Sequence, residues 1–165
     1  LNRSTPRGRA AEDGNELFDP GSAPVAPVEV PRQPPYPLGE RVLWELKTLG
    51  FSHSGHPLDA WDGRLEGIST IPSFDLGKHA AEKVTVAGWL VTMRRAVTRN
   101  HEYMEFLTLE DRHGVVEVAM FPDVYRRCGA EITEAGCYRV DGTVKEQHGS
   151  SSLVADNVEP IPLDF

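Results

Sequence analysis

The stretch Glu102-Tyr103-Met104-Glu105-Phe106-Leu107-Thr108-Leu109-Glu110-Asp111-Arg112-His113-Gly114-Val115-Val116-Glu117-Val118-Ala119-Met120-Phe121 is two alternating runs around a short turn. In the second run Val116, Val118 and Met120 share one face while Val115, Glu117 and Ala119 take the other, the period of a strand with one buried side. The connection Asp111-Arg112-His113-Gly114 is short enough for a hairpin, with glycine expected at the positive-φ position. The same period extends outward. Strands are expected at 83–95, 102–110, 115–121, 136–145 and 151–159, and Tyr138, Val140, Gly142 and Val144 alternate with Arg139, Asp141 and Thr143 in the fourth. Between the third and fourth, Pro122 to Ile132 reads as a helix with proline in its first turn and Val124, Cys128 and Ile132 on one side.

Three strands, a helix and two more strands is the order of an OB-fold, so the fold class is mainly β, a five-stranded barrel over 81–161. Upstream, residues 39–80 read as a helical adaptor. Val42, Leu43, Leu46 and Leu49 form one face of a helix of about three turns, Trp44 stands beside it, and Gly50 falls where a left-handed C-cap belongs. A helix this short needs a docking partner for its apolar face. A turn-rich segment, Ser52 to Pro57, and a helical turn over Leu58–Leu65 follow. Residues 1–38 read as a disordered Pro-rich tether, because seven prolines crowd residues 20–37 and few large apolar side chains precede them.

The formal net charge of −8 argues against duplex-DNA binding through a generally basic surface. Residues 83–159 hold 9 Lys+Arg against 12 Asp+Glu, a net of −3, so the barrel region is nearer neutral than the chain. Cys128 and Cys137 form no C-x-x-C pair and read as free thiols of a reducing cytoplasm. No apolar run is long enough to span a bilayer and no signal pattern opens the chain, so a membrane role is not expected. The chain begins at Leu1, which suggests a fragment or a processed product.

Two passages resemble the alpha subunit of bacterial DNA polymerase III, replicative or error-prone. One is Leu49-Gly50-Phe51-Ser52-His53-Ser54-Gly55-His56-Pro57-Leu58, similar to a segment that precedes the family's OB domain. The other is Met104 to Asp111 followed by Gly114, Glu117-Val118 and Phe121-Pro122-Asp123-Val124-Tyr125. The element Phe-x-x-Leu-x-Asp-x-x-Gly also occurs in anticodon-binding domains, and the Ser-Gly-His-Pro segment upstream favours the polymerase. The resemblance implies a single-stranded-DNA-binding module, working with the remainder of the alpha subunit in DNA replication, and no catalytic residue, metal or cofactor carries over. It also implies a clamp-binding motif near Gly14-Asn15-Glu16-Leu17-Phe18, where Leu17 and Phe18 fit and Gly14 replaces the glutamine; the alternative is two incidental apolar residues in a linker. An RNA-binding, tRNA anticodon-type module and a protein-interaction barrel are the rival functions.

Single strands are held by bases stacked on aromatic rings with cations along the phosphates. Arg94, Arg95 and Arg99 cluster at the end of the first strand and in the next loop, Tyr103 opens the second strand, and Lys145 near the last turn extends the track, with His101 and His148 as weaker additions. One arginine alone is an ordinary loop charge, but three within six residues point to a track. Tyr103 is either an exposed platform or a packed barrel residue. Phe106 and Trp89, mid-strand among apolar neighbours, are expected in the core. Glu110 and Asp111 are adjacent and so face opposite sides of a strand, which leaves Asp111 to organise the turn. His53 and His56 have no third ligand nearby, and His56-Pro57 reads as structural.

Overall fold

The structure, a computed structural model, describes residues 33–132, 135–147 and 149–163. Leu17, Phe18 and His148 lie outside the described residues. Pro35–Phe165 make one compact unit. Its elements are α1 (Leu38–Leu49), α2 (Asp62–Leu65), β1 (Lys83–Val97), β2 (Tyr103–Glu110), β3 (Val115–Met120), α3 (Pro122–Cys128), β4 (Cys137–Gln147) and β5 (Ser150–Pro160), with 3-10 turns at Pro57–Trp61, Ser73–His79 and Gly129–Glu131.

The strands close into a barrel in the order β1-β2-β3-β5-β4, all neighbours antiparallel except β3 and β5. β1 is the longest strand and serves two partners. Its first half, Lys83 to Trp89, pairs with β4, and its second half, from Trp89 to Val97, pairs with β2. A register shift between Leu90 and Thr92 bends it from one to the other, as a bulge does at a barrel corner. Gly88 sits at the bend. A Cβ there would lie 2.9 Å from the Cβ of Leu109, so only glycine permits the close approach of β2.

Alternation puts Val84, Val86, Leu107, Leu109, Val116, Val118, Met120, Val140, Val144, Leu153, Ala155 and Val158 into one core. Leu76 from the turn Ser73–His79 and Val124 and Cys128 from α3 join it. These two elements sit at opposite ends of the β2–β3 ladder: Ser73 bonds Asp111 in the β2–β3 turn, and Arg126 of α3 bonds Glu102 before β2.

The β2–β3 turn corrects one expectation, since Gly114 is not among the positive-φ glycines. The Asp111 carboxylate makes the turn instead, accepting from the backbone N–H of His113 (2.8 Å) and of Gly114 (2.9 Å). Asp111 thus organises the turn as its position suggested. It also accepts from the Ser73 N–H (2.6 Å) and hydroxyl (2.7 Å). Partial burial pushes this carboxyl up, but the four hydrogen bonds outweigh it and hold the pKa below the ordinary aspartate value.

α1 ends as expected, with Gly50 at φ 79° and its N–H bonded to Leu46 O. Val42 is fully buried, but Leu49 and Trp44 stand exposed, so the docked face is narrower than the apolar spacing implied. The helix comes closest to the following segment at Gly39, where a Cβ would lie 2.7 Å from Asp59 O. Glu45 then ties the helix to the following segment, accepting from the N–H of His53 (2.7 Å) and Ser54 (2.8 Å) and the Ser54 hydroxyl (2.6 Å).

A second apolar cluster joins adaptor and barrel. Leu58, Trp61 and Cys137 are its buried members, with Leu46, Leu65, Trp89 and Ile161 against them. Trp61 meets Trp89 edge-on at 5.5 Å and donates its indole N–H to Ile161 O at 2.7 Å. Trp89 was expected in the barrel core. It points outward, because Val84, Val86 and Leu90 take the inward positions of β1, and the adaptor covers it. Burial in this cluster pushes the Cys137 thiol up to about 12, which fits an inert free thiol.

Candidate nucleic-acid interface

Past its bend, β1 forms a hairpin with β2 in which Arg94 is opposite Phe106, Arg95 opposite Glu105, and Val97 opposite Tyr103. Directly opposed residues of an antiparallel pair share a face, so successive pairs alternate sides. On one side the Arg94 guanidinium lies 5.1 Å from the Phe106 ring centroid. On the other, Arg95 lies 5.8 Å from the Tyr103 ring and 5.5 Å from that of Tyr125 on α3. The connecting turn is closed by Thr98 N to Glu102 O at 2.8 Å and His101 N to Thr98 O at 3.0 Å, with His101 at φ 61°. Arg99 is exposed in that turn.

Phe106 is half-buried on the outer surface and not in the core, a second correction to the reading of mid-strand aromatics. Leu107 and Leu109 occupy the inward positions of β2, and Phe106 must therefore face out. It is the binding candidate that sequence reasoning missed, and strand parity was the signal that could have found it. Tyr103 is 58% exposed, which decides its open alternatives in favour of the exposed ring.

The arginines on this hairpin differ from three others, which pair with carboxylates. Arg112 pairs with Asp59 and Asp62, Arg126 with Glu102 and Asp123, and Arg139 with Asp141. Arg94, Arg95 and Arg99 form no ion pair among the described residues, and two of them lie over aromatic rings. Guanidinium on a ring face keeps its N–H donors turned outward and open to an acceptor.

Lys145 stands apart. Its neighbour Val144 exchanges backbone bonds with Ala81 and Glu82, which places Lys145 beside the start of β1, whereas the arginines lie on its carboxyl half and beyond. The structure therefore brings Arg94, Arg95, Arg99 and Tyr103 to one hairpin and leaves Lys145 outside that group.

The barrel topology defines an OB-fold domain, and residues 84–161 match the family of OB-fold nucleic acid binding domains. Within that class the domain is homologous to the OB domain of the DNA polymerase III alpha subunit. The chain is 31% identical over 116 residues to DNA polymerase III subunit alpha of Pseudomonas fluorescens, 70% of this chain and 10% of that protein. It is 27% identical over 155 residues to an error-prone DNA polymerase of Mesorhizobium japonicum, 93% of this chain and 14% of that protein. The chain thus spans about a tenth of the length of these relatives. Among solved structures, asparaginyl-tRNA synthetase from Pyrococcus horikoshii superposes with a TM-score of 0.49 at 20% identity, covering 57% of this chain and 22% of that one. No helix among the described residues is long and apolar enough to cross a membrane.

Proposed function

We propose that this chain is the single-stranded-DNA-binding module of a DNA polymerase III alpha-type replicase, holding template strand near the polymerase core and contributing no active-site group itself. The observation that carries this reading is the hairpin on which Arg94 and Arg95 lie over Phe106, Tyr103 and Tyr125 without carboxylate partners. Rings offer stacking surfaces to bases of any identity, and the unpaired guanidinium groups supply donors for phosphate oxygens. The rest of the alpha subunit is the intramolecular partner that the relatives' length supplies. A sliding clamp, engaged through Leu17 and Phe18, is a further partner, tested by whether clamp capture survives Leu17→Ala/Phe18→Ala.

Affinity of the isolated chain is modest. Stacking gives about 1–3 kcal/mol per base, and association costs about 4–15 kcal/mol, which leaves micromolar or weaker binding. The test is fluorescence anisotropy of the full chain with labelled single-stranded DNA across a salt series. About three neutralised phosphates give a log–log slope near −2, and Arg94→Ala/Arg95→Ala/Arg99→Ala should flatten it and weaken binding. A tRNA that displaces the DNA at lower concentration would favour the anticodon-type alternative. Binding that the triple variant leaves unchanged would refute the assignment of the hairpin.

A further inference from the structure

At the other end of the β2–β3 ladder stands a second group that none of the sequence motifs singled out. Phe74, in the 3-10 turn Ser73–His79, is 63% exposed. His113 of the β2–β3 turn meets its ring at 5.0 Å and 81°, and the Lys78 ammonium, itself paired with Asp75 at 2.5 Å, lies 5.9 Å from its centroid. One carboxylate fixes both aromatic residues. Asp111 accepts from the Ser73 N–H and hydroxyl, immediately before Phe74, and from the His113 N–H. The large ring is therefore held out in solvent by hydrogen bonds on both sides of it, and it forgoes the burial that a phenylalanine ordinarily gains.

The turn that carries Phe74 packs on β4 and β5 through Gly77, where a Cβ would lie 3.2 Å from the Ser151 hydroxyl. Ser151 is opposite Glu146, and the next pair, Lys145 and Ser152, takes the other face, so Lys145 is not part of this group. An exposed ring with an imidazole at its edge and the Lys78 ammonium near its face repeats the ring-and-cation chemistry of the Arg95–Tyr103 group.

We propose that Phe74, with His113 and Lys78, is a second contact site for the same single strand of DNA, stacking a base beyond the reach of the β1–β2 hairpin. This rests on the single-strand-binding reading above and adds to it where the strand leaves the barrel. From Tyr103 to Asp111 is eight residues along β2, roughly 26 Å at about 3.3 Å per residue. A stacked strand at about 3.4 Å per nucleotide covers that span with about eight nucleotides, inside the roughly 4–16 that one OB-fold occupies.

The test compares oligodeoxythymidines of about 4 and about 12 nucleotides by anisotropy on the full chain. Phe74→Ala should weaken the longer one roughly tenfold, the loss of a single stacked base, and leave the shorter one unchanged. Phe74→Trp should restore the longer one. Phe74→Ala with no effect on the longer oligonucleotide, or an equal loss on both, overturns the second site while leaving the hairpin assignment intact. If the unaltered chain binds neither length, the single-strand reading fails and the second site fails with it.

Discussion

An aromatic ring on the outer surface and a carboxylate with four hydrogen bonds show how differently single side chains serve this domain. Phe106 touches Arg94 on the outer surface, away from the core, so Phe106→Ala should weaken single-stranded-DNA binding by about 1–2 kcal/mol and leave the melting temperature within a few degrees. Anisotropy and thermal unfolding on the same sample check the two halves of that expectation. Asp111 is the opposite case. It accepts four hydrogen bonds, two that close the β2–β3 turn and two that join it to Ser73, and Asp111→Ala should destabilise the fold by about 2 kcal/mol. Because the folded carboxyl titrates below its unfolded value of about 3.9, its contribution is complete above that pH and is lost as pH falls through the folded pKa. A pH series of denaturant midpoints should show Asp111→Asn differing from the parent above about pH 4 and converging with it in stronger acid.

Among the elements, α1 depends on one exposed clamp. Hydrogen bonds from the Ser54 hydroxyl and from the Ser54 and His53 N–H groups hold the Glu45 carboxyl down at about 2. The clamp is fully present above the unfolded glutamate value of about 4.3 and releases as pH falls toward the folded value. Glu45→Gln should raise amide exchange at His53 and Ser54 at neutral pH, while exchange in the strands stays as it was. The strands themselves were readable because one buried face imposes a period of two, and each lies within a few residues of its expected bounds. The sides of individual aromatics were harder to read. Trp89 and Phe106 are as apolar as core residues, and only counting parity from Leu90 and Leu107 assigns them outward. Lys145 was legible as a loop-proximal cation, but its distance from the arginines depends on how β4 pairs with β1, which no local pattern encodes. Phe74 fell in a segment with no period at all.

For the molecule as a whole, the adaptor and barrel act as one body through Trp61. Its ring is buried against Trp89, and its bond to Ile161 spans a hundred residues of chain. Trp61→Ala should cost about 3 kcal/mol or more, and in the unaltered chain fluorescence and circular dichroism should report a single coincident transition. Two separated transitions would show instead that the adaptor is an independent appendage. The acidic balance of the chain, −8 overall, makes the unpaired arginines of the hairpin a local exception, so lowering salt should strengthen DNA binding chiefly through that site. The parallel junction of β3 and β5, Val118 beside Leu153 and Ala119 beside Val154, has a consequence for how the chain reaches this state. The antiparallel ladders join strands that are nearer in sequence or share longer runs, whereas this short contact must wait for β5 to be delivered. Until then β3 and β5 are open edges rich in valine, able to pair with other copies, so substitutions that weaken β5 should show first as aggregation during refolding, before any loss of affinity in the molecules that close.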